Sequence, residues 1–160
     1  MSRRTDVSVP PAPPDELDRL EAFVTEWLDH QLVENPILVA MDRGEPDERR
    51  WYVRLEGEEK DYTTIWMTLG QRSLRFEAYM LPAPEENHGQ VFEQLLRRNR
   101  HMRGMAFAIG DEDGIFLQGE VPLGALDARQ LDRIVGSVFA YVEQFFRPAL
   151  RLAFASRFSS

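Results

Sequence analysis

Between Trp51 and Met80 the chain alternates apolar and polar residues three times in succession, with a short polar turn after each of the first two runs. Trp51, Val53 and Leu55 fall on one side, against Tyr52 and Arg54. Ile65, Met67 and Leu69 oppose Thr64, Trp66 and Thr68, and Leu74, Phe76, Ala78 and Met80 oppose Arg75, Glu77 and Tyr79. A period of two places alternate side chains on opposite faces of a strand. Turns as short as Glu56-Gly-Glu-Glu-Lys-Asp61 and Gly70-Gln-Arg72 leave room only for antiparallel neighbours. This run therefore predicts a three-stranded antiparallel meander with one face on a core.

Helical periods flank the meander. Leu17, Leu20, Val24, Trp27, Leu28 and Leu32 repeat at three and four residues behind Asp15, read as a cap, and Asn35-Pro36 ends that helix. Ile37 to Met41 fits either an edge strand or a buried loop, and Asp42 to Arg50 reads as a loop. After Met80, Pro82 and Pro84 stop the strand. A second helix is expected from Pro84, with Glu85 and Glu86 at its positive end and Val91, Phe92, Leu95 and Leu96 as its buried stripe. Met105 to Ile109 and Ile115 to Val121 make a hairpin around Gly110-Asp-Glu-Asp-Gly114. Asp127 caps a last helix with Leu131, Ile134, Val135, Val138, Val142 and Phe146 inward. Pro148 is expected to break or restart it, and Leu150 to Phe154 fits a short helix or a strand.

The reading is thus α+β, in the order α-βββ-α-ββ-α, an antiparallel sheet of about five strands with helices on one face. Residues 1–14, which end in Val9-Pro-Pro-Ala-Pro-Pro14, are expected to be a disordered proline-rich tail. Residues 15–155 are expected to be one domain and 156–160 a carboxyl tail. At 160 residues a chain of this kind buries about two-thirds of its unfolded surface.

These elements and their punctuation resemble the YbjN-type bacterial domain family. The resemblance rests on Leu81-Pro-Ala-Pro-Glu-Glu-Asn-His88, Leu95-Leu-Arg-Arg-Asn99 and Gly104-Met-Ala-Phe-Ala108, covers about residues 15 to 155, and is most specific in the middle third. It implies a fold similar to the small acidic dimeric chaperones of type III secretion and a role as a sensory-transduction regulator. It supplies no catalytic residues to carry over.

Composition narrows the chemistry. With no cysteine, disulfides, thiolate metal sites and cysteine nucleophiles are excluded. The net charge of −8 opposes non-specific attraction to nucleic acid. Lys60 is the only lysine and sits in an acidic turn without a phosphate-binding loop. Arg3 and Arg4 are followed by no apolar run, and no segment reaches the ~18 apolar residues of a membrane span. A cytoplasmic protein with no membrane insertion is the expectation.

Of the three histidines, His30, His88 and His101, no two have metal-ligand spacing. Glu85, Glu86 and His88 read as a solvated helix start. Asp111-Glu-Asp-Gly114 reads as a hairpin turn, since it lacks the later ligands of a calcium loop. Ser137 lies in an apolar helix, outside any nucleophile elbow. Neither a catalytic residue, a metal nor a cofactor is therefore expected.

Two surface features remain. Tyr52, Trp66, Tyr79 and Phe116, set among Arg54, Thr64, Thr68, Arg75, Glu77, Gln118 and Glu120, would lie on the sheet face away from the helices. Such a face suits a polypeptide partner, or else holds aromatic pairs that only stabilise it. Arg97, Arg98, Arg100 and Arg103 form a cationic cluster that could take an anion or small metabolite, or simply complement a helix carboxyl end. The leading expectation is a non-enzymatic protein-binding module acting as a homodimer, regulatory or chaperone-like, with no nucleic-acid partner; an anion sensor is the alternative.

Overall fold

The computed structural model describes residues 9–158. Helix α1 (Pro14–Glu34) leads into strands β1 (Leu38–Arg43), β2 (Arg50–Glu56), β3 (Tyr62–Leu69) and β4 (Ser73–Leu81). Helix α2 (His88–Asn99), strands β5 (Met105–Ile109) and β6 (Ile115–Pro122), and helix α3 (Ala128–Ala153) complete the domain. The strands form one antiparallel sheet in the order β1-β2-β3-β4-β6-β5. The expected order of elements holds. The sheet has six strands rather than about five, because the ambiguous 37–41 run pairs with β2 as an edge strand.

All three helices lie on the face that the alternation makes apolar. Helix α1 packs near β1, α2 against β5 and α3, and α3 across β3, β4 and β6. Trp51, Val53, Leu55, Ile65, Met67, Leu74, Ala78 and Leu117 are fully enclosed there, together with Val24, Leu28, Leu131, Ile134 and Val138 from the helices. Burying a side chain of this kind stabilises the fold by about 1.5–3 kcal/mol. Among the described residues no helix packs on the opposite face.

Several local expectations change. Helix α1 starts two residues early: Pro14 occupies its first turn, where the missing N–H costs nothing, and Asp15 lies inside the turn instead of capping it. Leu32 is exposed near the helix end. Helix α2 starts at His88, not Pro84, because Asn87 takes a left-handed conformation (φ 54°) and interrupts the chain before it. Its buried residues are Val91 and Leu95, with Phe92 half-buried; Leu96 is 67% exposed, since α2 meets its neighbours along a narrow stripe.

Pro148 does not break α3. Proline removes the N–H that would reach the carbonyl four residues earlier. That residue, Gln144, lies on the exposed side like Pro148, so water can satisfy the freed carbonyl.

Residues 1–8 and 159–160 of the expected tails lie outside the described residues. From Val9 the proline-rich lead is attached to the domain. Ala12, the one residue of Pro10 to Pro14 with an N–H, donates it to the Gln71 carbonyl at 2.9 Å, and Arg72 Nε donates to the Val9 carbonyl at 3.1 Å. In place of a free carboxyl tail, Ala155–Arg157 forms a short 3-10 turn after α3.

Candidate functional site

The uncovered face of the sheet is set by strand register. One row across it reads Asp42, Tyr52, Trp66, Glu77, Gln118, Ala106; beside it Ala40, Arg54 and Thr64 are paired across β1 to β3, and Tyr79, Phe116 and Ala108 across β4, β6 and β5. Tyr52 and Trp66 are direct cross-strand partners with ring centroids 5.8 Å apart and planes at 85°. Tyr79 and Phe116 form a second edge-on pair at 5.4 Å. Trp66 faces Glu77, two residues from Tyr79 on the same strand, so the two pairs are diagonal neighbours, a relation within the reach of aromatic side chains. The four residues expected from the sequence thus lie on one diagonal stripe over β2, β3, β4 and β6.

Trp66 and Tyr79 remain 43% and 42% exposed. Beside them a depression of about 390 Å³ is lined by Arg50, Trp66, Thr68, Arg75, Glu77 and Gln118. Arg50 Nε donates to Thr68 Oγ1 at 3.1 Å, and the Tyr52 hydroxyl, more than any other neighbour, raises the affinity of Arg50 for its proton. Burial, aided by Glu112, pushes the Tyr79 phenol up, so it stays neutral and able to donate.

Arg50, read from the sequence as the end of the 42–50 loop, and Tyr62, which that reading left unassigned, also belong to this face. Tyr62 is 44% exposed under the Arg54 guanidinium, 3.9 Å from its ring centroid. The available signal was the period of two, carried back one more step from Thr64 and from Tyr52. Together the face offers aromatic edges, aliphatic stems and hydrogen-bonding groups over four strands. Such a combination of groups is of the kind enriched where proteins meet one another.

The other candidates are dispersed. Arg97 pairs with Glu93 at 3.3 Å, and Arg98 lies over the Phe145 ring at 5.0 Å. Arg100 and Arg103 follow, exposed, just beyond α2. Asn99, beside them, binds strand β5: its Oδ1 accepts from Phe107 N–H at 2.7 Å and its Nδ2 donates to Phe107 O at 3.1 Å.

Glu85 and Glu86, expected at the start of α2, instead close the end of α3. Their N–H groups both donate to the Ala153 carbonyl at 3.0 Å, and Asn87 Nδ2 donates to Leu152 O at 2.9 Å. Residues 111–113 form a short 3-10 turn inside the β5–β6 hairpin, with Glu112 and Asp113 at positive φ. Among the described residues no three His, Cys, Asp or Glu side chains are grouped to hold a metal ion, and no helix is long and apolar enough to cross a membrane.

The domain thus runs α-ββββ-α-ββ-α, with its helices on one face of a single antiparallel sheet. The chain is similar to one in the crystal structure of the ExsC–ExsE complex, with a TM-score of 0.58 and 17% identity over 85% of this chain and 98% of that one. Residues 12–151 match the YbjN family model, described as "Putative bacterial sensory transduction regulator", and the chain belongs to that family. A protein of Mycobacterium tuberculosis is 38% identical over 104 residues, which is 65% of this chain and 57% of that protein. A Mycobacterium leprae protein is 32% identical over 141 residues, 84% of this chain and 77% of its own length. The chain therefore spans little more than half the length of the Mycobacterium tuberculosis relative it matches.

Proposed function

We propose that this chain is a non-enzymatic, cytoplasmic protein-binding module, regulatory or chaperone-like, that receives a partner polypeptide across the diagonal aromatic stripe and acts as a homodimer. The observation that carries this is the stripe itself. Four aromatics from four strands meet on a sheet face that no helix among the described residues covers, with Trp66 and Tyr79 exposed at its centre. Aromatics with interspersed arginine are enriched where proteins bind one another. The similar fold in the ExsC–ExsE complex is that of a chain solved together with a second protein, which supports the same use here by analogy.

The test is recovery of partners by the wild type and by a Trp66→Ala/Tyr79→Ala variant with the same melting temperature. The variant is expected to lose the partner; equal recovery removes this face from the account. Sedimentation at increasing concentration reads the homodimer separately.

The alternative, an anion or small-metabolite sensor on Arg97 to Arg103, has weaker support because two of the four guanidiniums are already engaged. A thermal shift with a phosphorylated metabolite that Arg98→Ala abolishes would move the assignment there.

A further inference from the structure

The β2–β3 turn, Glu56-Gly-Glu-Glu-Lys-Asp61, is acidic, yet the group it binds is another acid. Glu143, in the middle of α3, presents its carboxylate to three successive backbone N–H groups. Glu58 N–H donates to Oε1 at 2.5 Å, Glu59 N–H to both oxygens at 3.2 Å, and Lys60 N–H to Oε2 at 3.0 Å. Successive N–H groups held in a turn make a concave receptor for anions. Hydrogen bonds from such groups to a charged carboxylate are about twice as strong as neutral ones.

The backbone is shaped around those oxygens. A Cβ at Gly57 would lie 2.6 Å from Glu143 Oε1 and 2.6 Å from the Lys60 carbonyl oxygen, so a side chain there would close the receptor. The side chains around it are fixed as well. Lys60 Nζ donates to the Tyr62 carbonyl at 2.7 Å and stands 5.6 Å from the Phe146 ring, while Arg147 pairs with Glu59. The site also adjoins open space. A groove of about 600 Å³ adjoins the turn along α3; three cations, Lys60, Arg147 and Arg151, line it against two carboxylates, Glu59 and Asp61. Arg151 makes no ion pair among the described residues, which leaves a free cation at the far end of that groove.

We infer that the Gly57–Lys60 turn is an oxyanion-binding site for carboxylates, that Glu143 is its internal ligand, and that an external carboxylate occupies it when Glu143 leaves. Half-buried Glu143 ties the hairpin to α3. A carboxylate arriving through the groove competes for the same three N–H groups, and winning them unties the hairpin from the helix. This use of the turn is independent of the aromatic face and stands or falls apart from it.

The probe is acetate, compared with chloride at equal ionic strength, on the wild type and on Glu143→Ala. In chloride the variant is expected to melt below the wild type. Acetate should restore a large part of that loss in the variant and leave the wild type nearly unmoved. By NMR, the amides of Glu58, Glu59 and Lys60 should shift and saturate with acetate in the variant, and respond only at higher concentration in the wild type, where Glu143 competes. Equal effects of acetate and chloride on the variant's stability and on these amides would overturn the assignment. Should the alanine variant not fold, Glu143→Gln keeps the shape without the charge, and the same three amides give the same decision.

Discussion

Trp51 is fully enclosed, and its indole N–H reaches Thr25 Oγ1 at 3.0 Å. A buried indole N–H needs an acceptor, and the cost of stranding it is about 1–3 kcal/mol. Thr25→Val keeps the shape and removes the acceptor, so chemical denaturation should show a loss of that size, with Thr25→Ser close to wild type. An unchanged midpoint for the valine variant would refute the role. Asn99 acts on the free edge of β5, where its side-chain amide makes both hydrogen bonds that a further strand would make to Phe107. Exposed strand edges invite pairing with other chains. Asn99→Ala is expected to cost about 1–2 kcal/mol and to speed aggregation on heating, read by light scattering. Trp51 was legible as a core residue from its strand period; its partner, 26 residues away on a helix, was not.

Helix α3 shows how differently the two ends of one element can be encoded. Asp127 caps its start by accepting from Gln130 N–H at 2.8 Å, a local signal visible three residues away. Its end is finished by distant residues: Glu85, Glu86 and Asn87 donate to its last carbonyls, and the Glu86 carboxylate in turn accepts from the hydroxyl and, at 2.8 Å, the N–H of Ser156. Glu85 adds an ion pair to Arg157 at 2.5 Å. The Ser156 hydroxyl, then its backbone N–H, hold the Glu86 carboxyl below the usual carboxylate range. A folded-state pKa below the unfolded one gives stability that is fully present above the unfolded value and is lost as pH falls through the folded value. Protection of the Ser156 amide against hydrogen exchange should therefore hold at neutral pH and fall on acidification. Glu86→Gln should remove that pH dependence. A Glu86 pKa measured by carboxyl NMR at or above the usual range would contradict the clasp.

At the scale of the molecule, the two faces of the sheet do separate work. Enclosed aliphatics on the helix side hold the fold, and the aromatic stripe on the other side is expected to contribute little to stability. Cross-strand aromatic pairs are worth about 0.2–1 kcal/mol each, so Trp66→Ala/Tyr79→Ala should cost no more than about 2 kcal/mol in denaturant unfolding. A much larger loss would make the stripe a structural feature and weaken its proposed use in partner binding.

The periods of the chain were enough to determine the antiparallel meander, the order of helices and strands, the apolar face of the sheet and the outward placement of Tyr52, Trp66, Tyr79 and Phe116, because periods, turns and the Asp127 cap act over a few residues. Only the tertiary structure decided which of those aromatics stand side by side, since strand register links residues far apart in sequence and a shift of one reverses the faces. It alone also gave Glu85 and Glu86 to the end of α3, and Glu143 to the β2–β3 turn. A carboxylate takes whichever converging N–H groups the packed helices bring within about 3 Å of it, and nothing in its local sequence records which those will be.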